Sequence, residues 1–117
     1  MKLLRIYADA DGESHIEEVE IDLNKDGAEG RQSPQWKVTG VFFSEIPPGG
    51  SADWHPAPRR QLAVVLKGEA ELEVSDGTTR HIRPGHLFLV EDTTGKGHLN
   101  KWLDDIVHEF VFMPLAD

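Results

Sequence analysis

The sequence predicts an all-β domain, a sandwich or barrel of short strands. Three observations carry this: apolar and polar residues alternate in several short runs, turn residues recur about every ten positions, and no segment holds a convincing helical period. At 117 residues the chain suits one domain with one core, and it has no internal repeat or low-complexity segment. Residues 1–35 read as N-terminal strands and a flexible connection, and residues 40–113 as the barrel core.

The elements follow in order. "LLRIYA" at 3–8 and "HIEEVEIDL" at 15–23 are strand-like; in the second, Val19, Ile21 and Leu23 alternate with Glu18, Glu20 and Asp22, so one face is buried and the other solvated. Asn24 to Gln35 carries two glycines, a proline and mixed charges without an apolar period, and reads as a long connection or flap. "WKVTGVFFSEI" and the turn-rich "PPGGS" at 47–51 come next, then "DWHPAPRRQ" at 53–61. The continuous apolar run "LAVVL" at 62–66 suits a strand covered on both faces.

"EAELEV" at 69–74 points Ala70, Leu72 and Val74 inward and Glu69, Glu71 and Glu73 to solvent. Asp76-Gly77 is a two-residue hairpin signal needing positive φ, and Pro84-Gly85 turns the chain before "LFLV". Toward the C-terminus, Leu99, Trp102, Leu103, Ile106 and Phe110 would also line a helix face. Strand is favoured there, because "IVHEFVF" is rich in β-branched and aromatic residues and Asp104-Asp105 can turn a hairpin.

Composition narrows the function. Without cysteine there is no disulfide framework, thiolate metal site or thiol nucleophile. The start, "MKLLRIYADADGE", lacks a signal-peptide pattern, so cytoplasmic residence is the expectation. No run approaches the roughly 20 apolar residues of a membrane span, and a net charge of −9 disfavours nucleic acid and anionic lipid as partners. There is no G-x-S-x-G elbow, and "DTTGKG" lacks the spacing of a phosphate loop. It reads instead as a mobile loop delivering His98 to the barrel mouth.

Six histidines, at 15, 55, 81, 86, 98 and 108, are the strongest metal-ligand candidates in a chain without thiols. His55 enters a strand on the same side as Ala57, Arg59 and Gln61, while His98 shares a face with Asn100 and Trp102. This arrangement resembles the cupin family, whose first motif runs G-x5-H-x-H-x3–4-E-x6-G. Gly49, His55, Ala57, Gln61 and Gly68 fall on its positions. In the second motif, G-x5-P-x-G-x2-H-x3-N, Gly77 and Pro84-Gly85 supply turns with shifted spacing, His98 falls at the histidine and Trp102 at the asparagine.

The resemblance covers roughly residues 40–113 and implies a double-stranded β-helix, a small jelly-roll barrel, in a protein that often dimerises. It also implies a divalent transition metal (iron, manganese, nickel, copper or zinc) held by three histidines and a carboxylate. Here only His55 and His98 match, with Gln61 as a neutral oxygen donor, which makes metal binding weak or absent. His108, alternating with Ile106, Phe110 and Phe112, would complete the set; its plain reading is a hydrogen-bonded core histidine. His15, His81 and His86 sit beside turns and read as surface residues.

Arg59, if it faces the barrel, needs a partner: a substrate carboxylate, or an internal acid among Asp53, Glu91 and Asp92. Arg60 faces the other way, as a surface or dimer-contact residue. Trp54 and Trp102 wall a pocket or simply fill the core. The expectation is a small-molecule site in the barrel, catalytic through His55, His98 and Arg59 and contacted by Gln61, Trp102 and His108. A metal on His55, Gln61 and His98 would serve isomerase, lyase or dioxygenase chemistry on a carbonyl or carboxylate compound. Without a metal, a histidine would move a proton while Arg59 holds a carboxylate; the remaining alternative is a non-catalytic metabolite- or sugar-binding module.

Overall fold

Period-two alternation closed by glycine and proline turns yields strands throughout. The structure, a computed structural model, describes residues 1–50 and 52–117. In chain order the strands are β1 (Lys2–Ala8), β2 (Ser14–Glu20), β3 (Lys25–Gly27), β4 (Gly30–Gln32), β5 (Phe42–Ile46), β6 (Ala52–His55), β7 (Gln61–Lys67), β8 (Ala70–Val74), β9 (Thr79–Ile82), β10 (Leu87–Val90), β11 (His98–Trp102) and β12 (His108–Pro114). No helix forms among the described residues, so none is long and apolar enough to cross a membrane.

Two sheets enclose the core. One has the order β2-β1-β10-β7-β12-β5, the other β6-β11-β8-β9, while β3 and β4 form a separate hairpin. Ile6, Ala63, Val65, Phe88 and Val90 of the larger sheet meet Ala70, Leu72, Val74 and Ile82 of the smaller one. Val74 and Leu72 are almost fully buried, at 0% and 1% exposure, which fits the inward register read from "EAELEV".

Several local expectations are revised. The segment read as a long connection or flap carries the β3–β4 hairpin, paired from Lys25↔Gln32 to Gly27↔Gly30. The N-terminal strands are integral to the barrel: β1 runs parallel to β10, with Leu4 opposite Phe88, and antiparallel to β2. The β8–β9 turn has three residues, since the amide of Val74 donates to Thr78 and that of Gly77 to Val74; only Gly77 takes positive φ. Asp104-Asp105 does not turn a hairpin, because β11 and β12 lie in different sheets and this segment carries the chain across.

The run 62–66 is covered on one face only. Ala63 and Val65 point into the core, but Leu66 on the outer face remains 52% exposed. Phe43, Val111, Val64 and Leu87 follow one another in register across β5, β12, β7 and β10 on that side.

His15 clamps two turns together. Its Nε2 lies 2.7 Å from Asp9 and its Nδ1 2.8 Å from Asp76, joining the β1–β2 turn to the β8–β9 turn. The hydrogen bond to Asp9, and then that to Asp76, raises the imidazole above its ordinary value. Asp9 is lowered chiefly by His15, and Asp76 chiefly by its hydrogen bonds with Thr78, with His15 adding to it. The histidine's contribution to stability is complete below its ordinary 6.5 and fades as pH rises through the raised value. The carboxylates contribute fully above 3.8 and lose that contribution as pH falls through their lowered values. The Tm advantage of the parent over His15→Gln is therefore expected to peak at about pH 5 and shrink above about pH 7. Calorimetric scans across pH test this, and a flat difference would exclude the clamp.

Candidate functional site

The site begins where β10 ends. Asp92, two residues past Val90, is 0% exposed, and its Oδ2 accepts a hydrogen bond from Nδ1 of His98 at 2.6 Å. Five residues loop between them. This loop is pinned, contrary to the mobile loop expected. The amide of Lys96 donates to Gly12 at 2.9 Å, its ammonium pairs with Glu13, and the Ser14 hydroxyl donates to the Gly97 carbonyl at 2.6 Å. Gly95 lies so close to Gly12 that a Cβ would overlap the latter's backbone.

β11 then pairs with β6 so that His98 stands opposite His55. Nδ1 of His55 donates to the carbonyl of its own strand's Asp53 at 2.7 Å. With Nδ1 occupied on both rings, each neutral imidazole keeps a free lone pair on Nε2. The ring centroids are 4.7 Å apart and the planes inclined at 56°. Two oriented imidazoles thus stand together at one wall of a cavity of about 330 Å³.

His55, Arg59, Gln61, His98 and Trp102, all expected at the site, line this cavity. Gln61 is buried; Arg59 sits exposed at the rim, its Nη1 3.4 Å from the Gln61 side-chain oxygen and its Cζ 5.9 Å from the centre of the Phe42 ring. None of the internal acids proposed for Arg59 pairs with it. Glu91 engages Arg5 at 2.6 Å and Arg60 at 2.5 Å, Asp92 holds His98, and an oxygen of Asp53 accepts from the Trp54 amide. Burial pushes the Glu91 carboxyl up, but the two arginines outweigh this and hold it below its ordinary value.

His108 does not line the cavity. It is 2% exposed, its ring nitrogens lie against the carbonyls of Ile106 and Glu69, and Nε2 is 2.8 Å from Asp104. Its ring instead supports Trp102, with centroids 4.5 Å apart. Gly68 makes this burial feasible, since any Cβ there would overlap the imidazole. Trp54 also lies off the cavity and is 40% exposed. His81 pairs with Glu69 outside the barrel, and His86 accepts from the Arg83 amide.

Sequence reasoning missed Asp92 as the partner of His98, although both flank one short loop and chain proximity was the available signal. It noted Asn100 only as a neighbour of His98, yet Asn100 lines the cavity. It put Phe110 and Phe112 on one face of the last strand but missed that Phe42 joins them in a wall, Phe42 and Phe112 stacking at 5.1 Å and Phe112 and Phe110 at 5.8 Å.

The donor set does not fit a resident divalent ion. Two imidazoles and one amide carry no negative charge, and among the described residues no three His, Asp or Glu side chains converge. Asp92, whose carboxylate bonds one member of the pair, is engaged at Nδ1 of His98. Tag-free protein is expected to carry far less than stoichiometric iron, manganese, nickel, copper or zinc, unchanged in His98→Ala. Elemental analysis checks this; a full equivalent lost on mutation would restore the metal site.

The chain is similar in fold to a cupin domain from Bordetella pertussis Tohama I, with TM-score 0.50 and 24% identity over 66% of this chain and 80% of that one. It also matches a protein from Neisseria meningitidis with TM-score 0.47 and 19% identity, over 70% of this chain and 83% of that one. No curated protein matches. The cupin domain family matches residues 42–102, a span from β5 through β11 that holds both cavity histidines. With its two-sheet barrel and that match, the chain belongs to the cupin family.

Proposed function

We propose that the cavity binds a small molecule carrying a carboxylate next to a carbonyl, and that His98 removes a proton from the adjacent carbon. The observation that carries this reading is the 2.6 Å contact between the buried Asp92 and His98, beside a cavity with Arg59 at its rim. In such a pair the carboxylate fixes the tautomer and stabilises the imidazolium formed when Nε2 takes a proton. The C–H electron pair becomes an enolate, Arg59 holds the carboxylate, and the proton resides on His98 until it is returned to carbon or to solvent. His55, fixed by Asp53, stands ready as the second proton carrier.

The chemistry requires neither metal nor oxidant. It is tested by incubating 2-oxo acids of varied side chain with the protein in deuterium oxide and following exchange at the carbon beside the carbonyl by NMR. Exchange about 100-fold above the buffer rate is expected for at least one acid, and its loss in His98→Gln. Binding of such acids without exchange would overturn the catalytic reading and leave a binding module.

A further inference from the structure

The walls of the cavity differ in character. His55 and His98 stand on β6 and β11 of the smaller sheet, whereas β5 and β12 of the larger sheet present Phe42, Phe112 and Phe110. These rings form a nearly parallel run: Phe42 on Phe112 at 22°, Phe112 on Phe110 at 23°. Trp102, on β11 of the smaller sheet, lies 6.2 Å beyond Phe110 with its plane tilted at 57°. Phe88 of β10 also lines the cavity and aliphatic side chains make up most of the rest, so the larger sheet presents most of the aromatic surface.

Charge is equally localised. Arg59 is the one permanently charged side chain among the described lining residues, in a chain with 21 acidic residues against 12 Lys and Arg. It still pairs with no carboxylate among the described residues, and its hydrogen bond to Gln61 is long, at 3.4 Å. The guanidinium therefore retains donors for a bidentate acid. It stands near Phe42, at one end of the aromatic run.

We infer that the ligand of this site is an aryl carboxylate: one aromatic ring, with a carboxylate one or two carbons away. The ring packs beside Phe112 and Phe110, whose edges the stack leaves free, and edge-to-face contact favours a π face over an aliphatic ring of equal size. The carboxylate meets Arg59 at the Phe42 end, and the volume, at the lower end for small-molecule cavities, admits a single ring. This rests on the reading of the cavity as a carboxylate site, and it adds the body of the molecule to it.

Phenylacetate, which carries no carbonyl beside the carboxylate and so separates binding from proton transfer, is the probe. Its affinity for the full chain is compared by calorimetry with cyclohexylacetate, which lacks the π face, and 2-phenylethanol, which lacks the charge. About tenfold tighter binding than either is expected. Arg59→Gln, at an exposed position, should abolish the preference over the alcohol, and Phe112→Leu the preference over cyclohexylacetate. Equal affinities among the three, unaltered selectivity in Arg59→Gln, or no binding of phenylacetate would overturn the aryl carboxylate assignment. Exchange confined to aliphatic 2-oxo acids would overturn it while leaving proton transfer standing. Selective phenylacetate binding with no exchange of any acid would do the reverse.

Discussion

Replacing Gly97 with alanine is expected to lower stability by roughly 3–5 kcal/mol and Tm by roughly 15–25 °C, the largest effect of any single methyl group near the site. Two costs combine. Gly97 has φ +76°, where a Cβ costs about 1–2 kcal/mol. That Cβ would also overlap the carbonyl carbon and oxygen of His55, backbone atoms that cannot turn aside. The β6 end would have to move away from β11, and the two imidazoles would separate with it. Gly85→Ala is the control, since Gly85 has φ +92° with nothing within 4 Å of its added Cβ. It should lose only about 1–2 kcal/mol. Thermal unfolding of both variants resolves the terms, and equal losses would show that the contact with His55 is not tight.

Asp92→Ala is expected to be the most damaging substitution for activity after loss of His98 itself. It leaves Nδ1–H of a histidine only 7% exposed without an acceptor, which costs about 2–4 kcal/mol together with the void. Proton exchange should fall about 100-fold or more as His98 loses its fixed tautomer. Nitrogen NMR provides a readout that a merely structural role would not move. In the parent, neutral His98 should carry its proton on Nδ1; in Asp92→Ala it should shift toward Nε2. Asp92→Asn, whose amide oxygen still accepts, should recover most of the stability but not the exchange rate, because it cannot balance an imidazolium. An unchanged tautomer in Asp92→Ala would remove Asp92 from a positioning role.

Much of the site was legible because it depends on local spacing. His55 and Gln61 are placed relative to one another by a short strand and its entry, and both line the cavity. Arg59 was ambiguous, since Pro56 and Pro58 interrupt the alternation that would assign its side. Asp92 was misread as a partner for arginine. Its choice of His98 depends on how the loop before β11 is pinned on Gly12 and Glu13, which are contributed by the turn between the first two strands.

The aromatic wall was hidden for the same reason. Phe42 and Phe112 lie seventy positions apart in the chain and meet only because β5 pairs with β12. His108 takes the plainer of its two readings, a hydrogen-bonded core histidine: it alternates with Phe110 and Phe112, but the strand's register shifts between Glu109 and Phe110, and the space at Gly68 accommodates its ring beside Trp102. Period two identifies a face only while the strand stays regular.

By itself, then, the sequence determined the all-β class, nearly every barrel strand, the inward residues of β8 and the family, because backbone periodicity, turn chemistry and motif spacing are written in neighbouring residues. Tertiary structure alone decided which strands pair, that Asp92 holds His98, that Arg59 keeps no internal acid and that three phenylalanines face the histidines. Those outcomes follow from burial summed over the whole chain and from ångström-scale register between distant strands, quantities to which no short stretch of sequence has access.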